Sequence, residues 1–420
     1  MSTVWRLSRR VRLCAYQIHH QTRSIADSRS FVTGDLVLLR EKLDRGAAPI
    51  LTRPLRSGVK INGHKGVIDH EEIIGKRVRD VVKTAPSRSG RAATEYRLHE
   101  VRLEEYVRLS KRLVTPIYPA DASLIVELLD LHVEPYHPDS GNEDGPKLEI
   151  LEAGTGQGAL TLYLSRAIHG ANPPLAQASQ GEDNATRYET VQAWKRERRA
   201  VVHTIDSSAK YSSHAEKIVK GFKHGMYYNN VDFHVTDVGA WARKVSSERD
   251  GKPFLSHAFL DLPGPEAHLD SVAQALRTDG CLLIFTPSIT QVLECVETIK
   301  EEGVMLELDN VVELGVNGGS GGRGWKVQAV RKRRPSSNPI FETTVNDGAD
   351  STDHGTTEVT DHAKDDARQD QQVTATEGSN DTNQSSSEWS MICRPLVGER
   401  IVGGGFLGVW RKQRDMRVGP

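Results

Sequence analysis

The stretch Glu152-Ala153-Gly154-Thr155-Gly156-Gln157-Gly158 decides how this chain folds. A short apolar run, Leu148-Glu-Ile-Leu-Glu152, leads into it and reads as a strand that ends in an acid. Leu160, Leu162, Leu164 and Ile168 follow and fit a helix. Glycines between a strand and a helix let the backbone come close to a ligand, and the helix N-terminus favours an anionic group. The pattern predicts a nucleotide-like ligand at the first turn of a Rossmann-type sheet.

The sequence downstream repeats the same alternation. Val201-Val-His-Thr-Ile-Asp206 is a second strand ending in an acid, followed by a helix through Ala215 and Ile218. Val231–Val235 is a third, ending near Asp237, and Ala258-Phe-Leu-Asp261 a fourth. Cys281–Phe285 is a fifth, with a helix from Val292 to Ile299. Upstream, Leu124, Ile125, Leu128 and Leu129 have helical spacing. This order predicts an α/β fold with a doubly wound parallel sheet. Ile401–Trp410 reads as a last strand that returns to the sheet, expected to close it as an antiparallel pair with Trp325–Val330.

The glycines alone leave two ligands open. Gly154-x-Gly156-x-x-Ala159 fits a dinucleotide fingerprint, and it equally fits an S-adenosylmethionine loop. Both need an acid on the next strand for a ribose diol, and Asp206 serves either. The fourth strand separates them. Asp261-Leu-Pro-Gly-Pro265 places a carboxylate just past a strand's carboxyl end, the edge where open α/β sheets bind ligands. Prolines there fix the turn and stop the strand. An acid–proline turn at this position resembles that of methyltransferases acting on base nitrogens, and a dehydrogenase has no clear use for it.

The 420 residues are 37% hydrophobic and 26% charged, enough for a catalytic domain and a smaller one. The aromatic content of 6% and mean hydropathy of -0.48 predict polar stretches diluting the core. One is residues 335–388, acidic and expected to be disordered; another insert is residues 170–199. A net charge of -1 points to no nucleic acid by itself. Four scattered cysteines, Cys14, Cys281, Cys295 and Cys393, contain no CxxC pair, so neither a zinc site nor a disulfide framework is expected. No apolar run is long enough to cross a bilayer. Residues 1–30 carry Arg6, Arg9, Arg10, Arg12 and Arg23 before the first acid, Asp27, the composition of a mitochondrial transit peptide. Residues 31–114 show short strands punctuated by Gly58, Gly63 and Gly66 and predict a small β-rich domain. Its basic cluster includes Arg97, Arg108, Lys111 and Arg112, an electrostatic footprint for RNA or a solvated helix face. Residues 115–413 then form the ligand-binding domain.

Taken together, these pieces resemble the catalytic subunit of tRNA adenine-N1 methyltransferases, which modify a T-loop adenosine. The resemblance is carried by Gly34-Asp-Leu-Val-Leu-Leu39, Ile68-Asp-His-Glu-Glu-Ile-Ile-Gly75, Lys111-Arg112, Ile117-Tyr-Pro-Ala-Asp121, Glu152–Thr161, Asp261-Leu-Pro263, Arg394-Pro395, Val402-Gly403 and Phe406-Leu407. It covers most of residues 31–333 and 390–413. It implies a Rossmann-like class I methyltransferase fold with an antiparallel last strand, and transfer of a methyl group from S-adenosylmethionine to adenine N1 in tRNA. The chain departs from the family at Gln157, commonly serine, at Gly403–Gly405, often His-Thr-Gly, and at Asp206, commonly glutamate.

The resemblance also implies roles. Asp261 would stabilise the cation that forms on the base. Tyr118 would stack on, or bond near, the flipped adenine. Loop residues Glu152, Gly154, Thr155, Gly156, Gln157 and Gly158 would hold the cofactor with Asp206 and Asp261, Glu152 facing its amino-acid end or satisfying backbone N–H groups of the loop. Asp237 would lie near the cofactor's adenine or cap the next helix. The implied assembly is a homotetramer in the mitochondrial matrix, or a nuclear pairing with a homologous, non-catalytic tRNA-binding subunit. A scaffold role for this chain, and a different RNA or protein substrate, are the competing readings. No metal and no membrane are implied.

Overall fold

The small domain is built on strands whose two faces meet different cores. The computed structural model describes residues 29–44, 46–63, 65–85, 93–115, 117–137, 145–175, 183–315, 324–331, 389–395 and 404–414, the last two strands before 404 as backbone only. The leader read at 1–30, apart from its last two residues, and the acidic insert 335–388 lie outside the described residues. Strands β1 (Val37–Glu41), β2 (Ile50–Leu51), β3 (Lys60–Gly63), β4 (Gly66–Asp69), β5 (Val81–Lys83) and β6 (Glu95–Glu100) form a four-stranded sheet, β2-β1-β6-β5, and a β3–β4 hairpin. Every pairing is antiparallel. Successive side chains of a strand point to opposite faces. Val37 and Leu39 therefore enter the small-domain core, while Leu38 enters the core of the larger domain.

Helices α1 (Leu103–Leu109) and α2 (Pro119–Leu128) lead into the larger domain. There β7 (Leu148–Ala153), α3 (Ala159–Ile168), α4 (Asn184–Glu197), β8 (Ala200–Asp206), α5 (Ala209–Gly221), β9 (Val231–Val235) and α6 (Val238–Glu248) follow one another. After them come β10 (Leu255–Leu260), α7 (Leu269–Ala275), β11 (Leu276–Thr286), α8 (Ile289–Glu302) and β12 (Leu306–Glu313). The chain then forms β13 (Gly324–Arg331), β14 (Trp389–Pro395) and β15 (Phe406–Lys412). Strands β9-β8-β7-β10-β11 are neighbours in that order and parallel. The order reverses between β7 and β10, the switch point where open α/β sheets leave a crevice.

The closing strand departs from the expected pairing. β15 starts at Phe406 and runs antiparallel between β11 and β12, and its partners do not include residues 325–330. Gly324 and Trp325 pair instead with Val312 and Val311 of β12. β12 itself has a weak sequence signal. A register shift between Leu308 and Asn310 breaks its alternation, and exposed acids punctuate it. A second compact unit, residues 327–393, contains the strand segments 327–331 and 389–393 among its described residues.

The insert read at 170–199 contains a helix in its described part. Asp183 caps α4 by accepting from the Thr186 N–H at 2.7 Å. Trp194, the buried residue of this polar helix, donates from Nε1 to the Pro173 carbonyl at 2.8 Å. Lys195 and Arg198 both pair with Asp232 on β9. Part of the Lys195–Arg199 basic run is thus an anchor.

One buried carboxylate joins the small domain to the large one. Asp35 is 4% exposed and takes both guanidinium nitrogens of Arg29 at 2.8 Å. His224, from the loop after α5, meets the same carboxylate at 2.8 Å. These partners hold the Asp35 carboxyl below its usual range despite the burial that opposes them. Asp35→Ala should lower the unfolding free energy by about 1–3 kcal/mol, nearer the lower figure because Arg29 and His224 are part-solvated. Urea unfolding of the two proteins checks this, and equal midpoints would show that the joint carries no stability.

Candidate functional site

The loop after β7 is held open by contacts on both sides. Gly154 has φ +91°, and a Cβ there would overlap the Asp261 carbonyl. Only glycine lets these two backbones meet. The Gly154 N–H donates to the Ile205 carbonyl at 2.9 Å, and the Asp261 N–H to the Ala153 carbonyl at 2.8 Å. The turn is thereby fastened to β8 on one side and to the end of β10 on the other. Gly156 has φ +55°, and its N–H donates to Asp206 Oδ2 at 3.2 Å. Gly158 sits at the N-terminus of α3 with φ +78°, pressed against Ala215 of α5.

Beneath the loop lies a buried hydroxyl–carboxylate cluster. Thr155 Oγ1 and Thr204 Oγ1 are 2.7 Å apart, and Thr161 Oγ1 donates to Glu152 Oε2 at 2.6 Å. Glu152 is 1% exposed. Burial pushes its pKa up to about 7, and the neighbouring Asp261 charge adds to the rise. Its observed partners lie under the turn, so Glu152 supports the loop from below and is not among the residues that line the cleft. Gln157 is also buried, and among the described residues its Oε1 has no hydrogen-bond partner.

Above the loop is a cleft of about 500 Å³ at the switch point of the sheet. Gly154, Gly156, Asp206, Asp237 and Asp261 all line it, so the structure brings these predicted residues to one place. Asp206 accepts the Ser208 N–H at 2.8 Å as well as that of Gly156, which fixes its carboxylate at the mouth of β8. Asp237 caps α6, taking the Ala240 N–H on Oδ1 at 2.8 Å, while Oδ2 stands 3.8 Å from His268 Nε2. The capping role and the cleft position coexist in one side chain. Asp261 has no basic partner among the described residues, and burial pushes its pKa up to about 6. Its carboxylate is ionised at neutral pH and available to a cation in the cleft.

Tyr118 sits beside the linker, at the start of α2. Pro119 begins α2 with a fixed φ, which leaves Tyr118 at the N-terminal boundary, half-buried, with the Arg112 guanidinium 5.7 Å from its ring centroid. It does not line the cleft. Among the basic residues, Lys111 and Arg112 are exposed in the linker that reaches the cleft through Val114 and Thr115. Arg108 is exposed at the end of α1. Arg97 lies within the small sheet opposite Arg40 and Val81, partly buried. Sequence reasoning missed Thr115, Tyr211 and His268, which line the cleft from the linker, α5 and the turn before α7. No spacing marks them, because each is a single residue brought in by a different segment.

Comparisons with known proteins come down on one side. No protein-family model matches the chain. The tRNA (adenine(58)-N(1))-methyltransferase TrmI of Thermus thermophilus is 31% identical over 299 residues, 71% of this chain and 89% of that protein. The tRNA (adenine(58)-N(1))-methyltransferase catalytic subunit of Cryptococcus neoformans is 27% identical over 276 residues, 64% of this chain and 49% of the relative. A solved SAM-dependent O-methyltransferase of Thermotoga maritima superposes with a TM-score of 0.50 at 16% identity, covering 94% of this chain and 99% of that one. The last likeness speaks to the fold alone, that of a class I methyltransferase. With the glycine turn, the switch-point cleft and Asp261 in place, the extent of the first match makes this chain a member of the tRNA (adenine(58)-N(1))-methyltransferase family.

Proposed function

We propose that the protein transfers a methyl group from S-adenosylmethionine to N1 of an adenine in tRNA, the T-loop adenosine that its relatives' names specify. The observation that carries this reading is Asp261, an acid without a basic partner at the end of β10 in the cleft that the glycine turn opens. The cleft suits S-adenosylmethionine. Backbone without Cβ atoms forms one wall, and its volume falls in the range of small-molecule sites. Asp206 would take the ribose hydroxyls, Asp237 the adenine edge, and the loop from Gly154 to Gly158 would surround the amino-acid end. When bound, the sulfonium supplies an electrophilic methyl group.

The chain's own contribution is electrostatic. Adenine N1 has an in-plane lone pair and needs no strong base before it attacks. Positive charge develops on the ring as the N–C bond forms. The Asp261 carboxylate at the N1–N6 edge accepts an N6 hydrogen bond and stabilises that charge where it appears. Glu152 and its threonines keep the loop backbone fixed against Asp261. Tyr118 with Arg112, beside the linker, would receive the base plane once it has left its stack.

Purified protein incubated with S-adenosylmethionine and a tRNA transcript should yield 1-methyladenosine, read by mass spectrometry after nuclease digestion. Gly154→Ala should weaken cofactor binding by about 100-fold and remove the product, because its Cβ displaces the Asp261 backbone. An active native protein that makes only other methylated nucleosides would refute the adenine-N1 assignment.

Activity should depend on pH with the sign of a carboxylate that must be charged. Asp261 protonates as pH falls through about 6, so kcat/KM should decline there and level off above it. Asp261→Asn should lose about 10²–10³ in kcat and lose the acid limb of the profile. Its thermal stability should not fall, since a buried charge has been removed. An unchanged acid limb in the variant would assign that limb to another group.

The basic, acid-free residues before Asp27 support delivery to the mitochondrial matrix, and the family resemblance implies a homotetramer there. A fluorescent fusion of the full chain should enter mitochondria, and one lacking residues 1–30 should not. Nuclear signal from the full fusion would favour instead a pairing with a homologous tRNA-binding subunit.

A further inference from the structure

The linker between α1 and α2 exposes a large apolar side chain next in sequence to the cleft wall. Leu113 is 36% exposed, directly after Lys111 and Arg112 and directly before Val114 and Thr115, which line the cleft. The linker is fixed in place. His214 of α5 donates from Nε2 to the Lys111 carbonyl at 2.9 Å, and Arg112 lies over the Tyr118 ring. His214 shares one face of α5 with Lys210 and Lys217, since residues four and seven apart line up on a helix. Both lysines are exposed. Tyr211, from the same helix, lines the cleft. Two segments therefore present cations and an apolar side chain on one rim. Among the described residues, none of Lys111, Arg112, Lys210 and Lys217 forms an ion pair.

We propose that Leu113 is a wedge that enters the base stack of the RNA as the target adenine leaves it. The inference rests on the tRNA reading above. A base cannot reach a cleft of this depth while stacked, and extruding it opens a gap between its neighbours that water fills poorly. Proteins that distort nucleic acids fill such gaps with leucine, phenylalanine or methionine. Leu113 has the right chemistry, and the cations on both sides would hold the flanking phosphates. The wedge is the immediate chain neighbour of Val114 in the cleft wall, so insertion and capture of the base occur at the same point. Leu113 makes no contact with the reacting atoms and acts by positioning the base.

The test uses the full chain with two tRNA transcripts, one unmodified and one carrying 2-aminopurine at the target position. Native protein should raise the 2-aminopurine fluorescence severalfold on binding. Leu113→Ala should lose most of that rise, and its kcat/KM for tRNA should fall about ten-fold. Affinity for S-adenosylmethionine and the melting temperature should stay at native values. Leu113→Met, which keeps an apolar side chain of similar reach, should restore both fluorescence and rate. A native protein active on tRNA, with Leu113→Ala equal to it in rate and fluorescence, would overturn the wedge and leave the tRNA reading standing. A native protein that transfers no methyl group to tRNA would remove both.

Discussion

The structure depends on one close approach of backbone to backbone, Gly154 against Asp261. It brings the turn after β7 into contact with the end of β10 at the place where strand order reverses. A switch point alone would leave a crevice between diverging helices. Here the crevice has a floor, because the Gly154 and Asp261 N–H groups bond to Ile205 and Ala153 and tie three strand ends together. The acid that closes the site is thus aimed by the same contact that shapes the loop. Any side chain at residue 154 would separate the two.

A cost follows from that proximity. Glu152 and Asp261 lie on adjacent strand ends, and burial raises both carboxyls above their ordinary range. Glu152 tolerates this because Thr161 donates to it and because it can hold a proton near neutral pH. Asp261 has no such donor among the described residues. Its charge is best compensated when a cation occupies the cleft. The threonine cluster below holds the loop backbone in place beside these buried carboxyls.

The joint between domains uses the same logic with a different outcome. Asp35 is as buried as a core residue, yet Arg29 and His224 hold it charged. Leu38 runs through the interface as the apolar half of the joint, packed in the large-domain core while its strand neighbours serve the small one. The small domain is therefore fixed to the segment after α5. Since α5 also contributes Tyr211 to the cleft and His214 to the linker, the small domain and the rim of the site share a support.

The strand–helix alternation, the glycine turn and the acids at the ends of β8 and β10 were legible in the sequence because each is local. An apolar run, a glycine and a terminal carboxylate within a few residues constrain one another through backbone geometry. Helix α4 was not legible, since a polar helix has no periodic apolar face and owes its place to Asp232 and Pro173. Nor was β12 as the partner of β15, since its bulge breaks the period that would announce it. Tyr118 lay in a recognisable motif, but motifs do not record direction, and only packing decided that its ring meets Arg112. The sequence by itself determined which residues could carry the chemistry. The tertiary structure decided which of them meet, because convergence on one cleft depends on contacts between segments far apart in the chain.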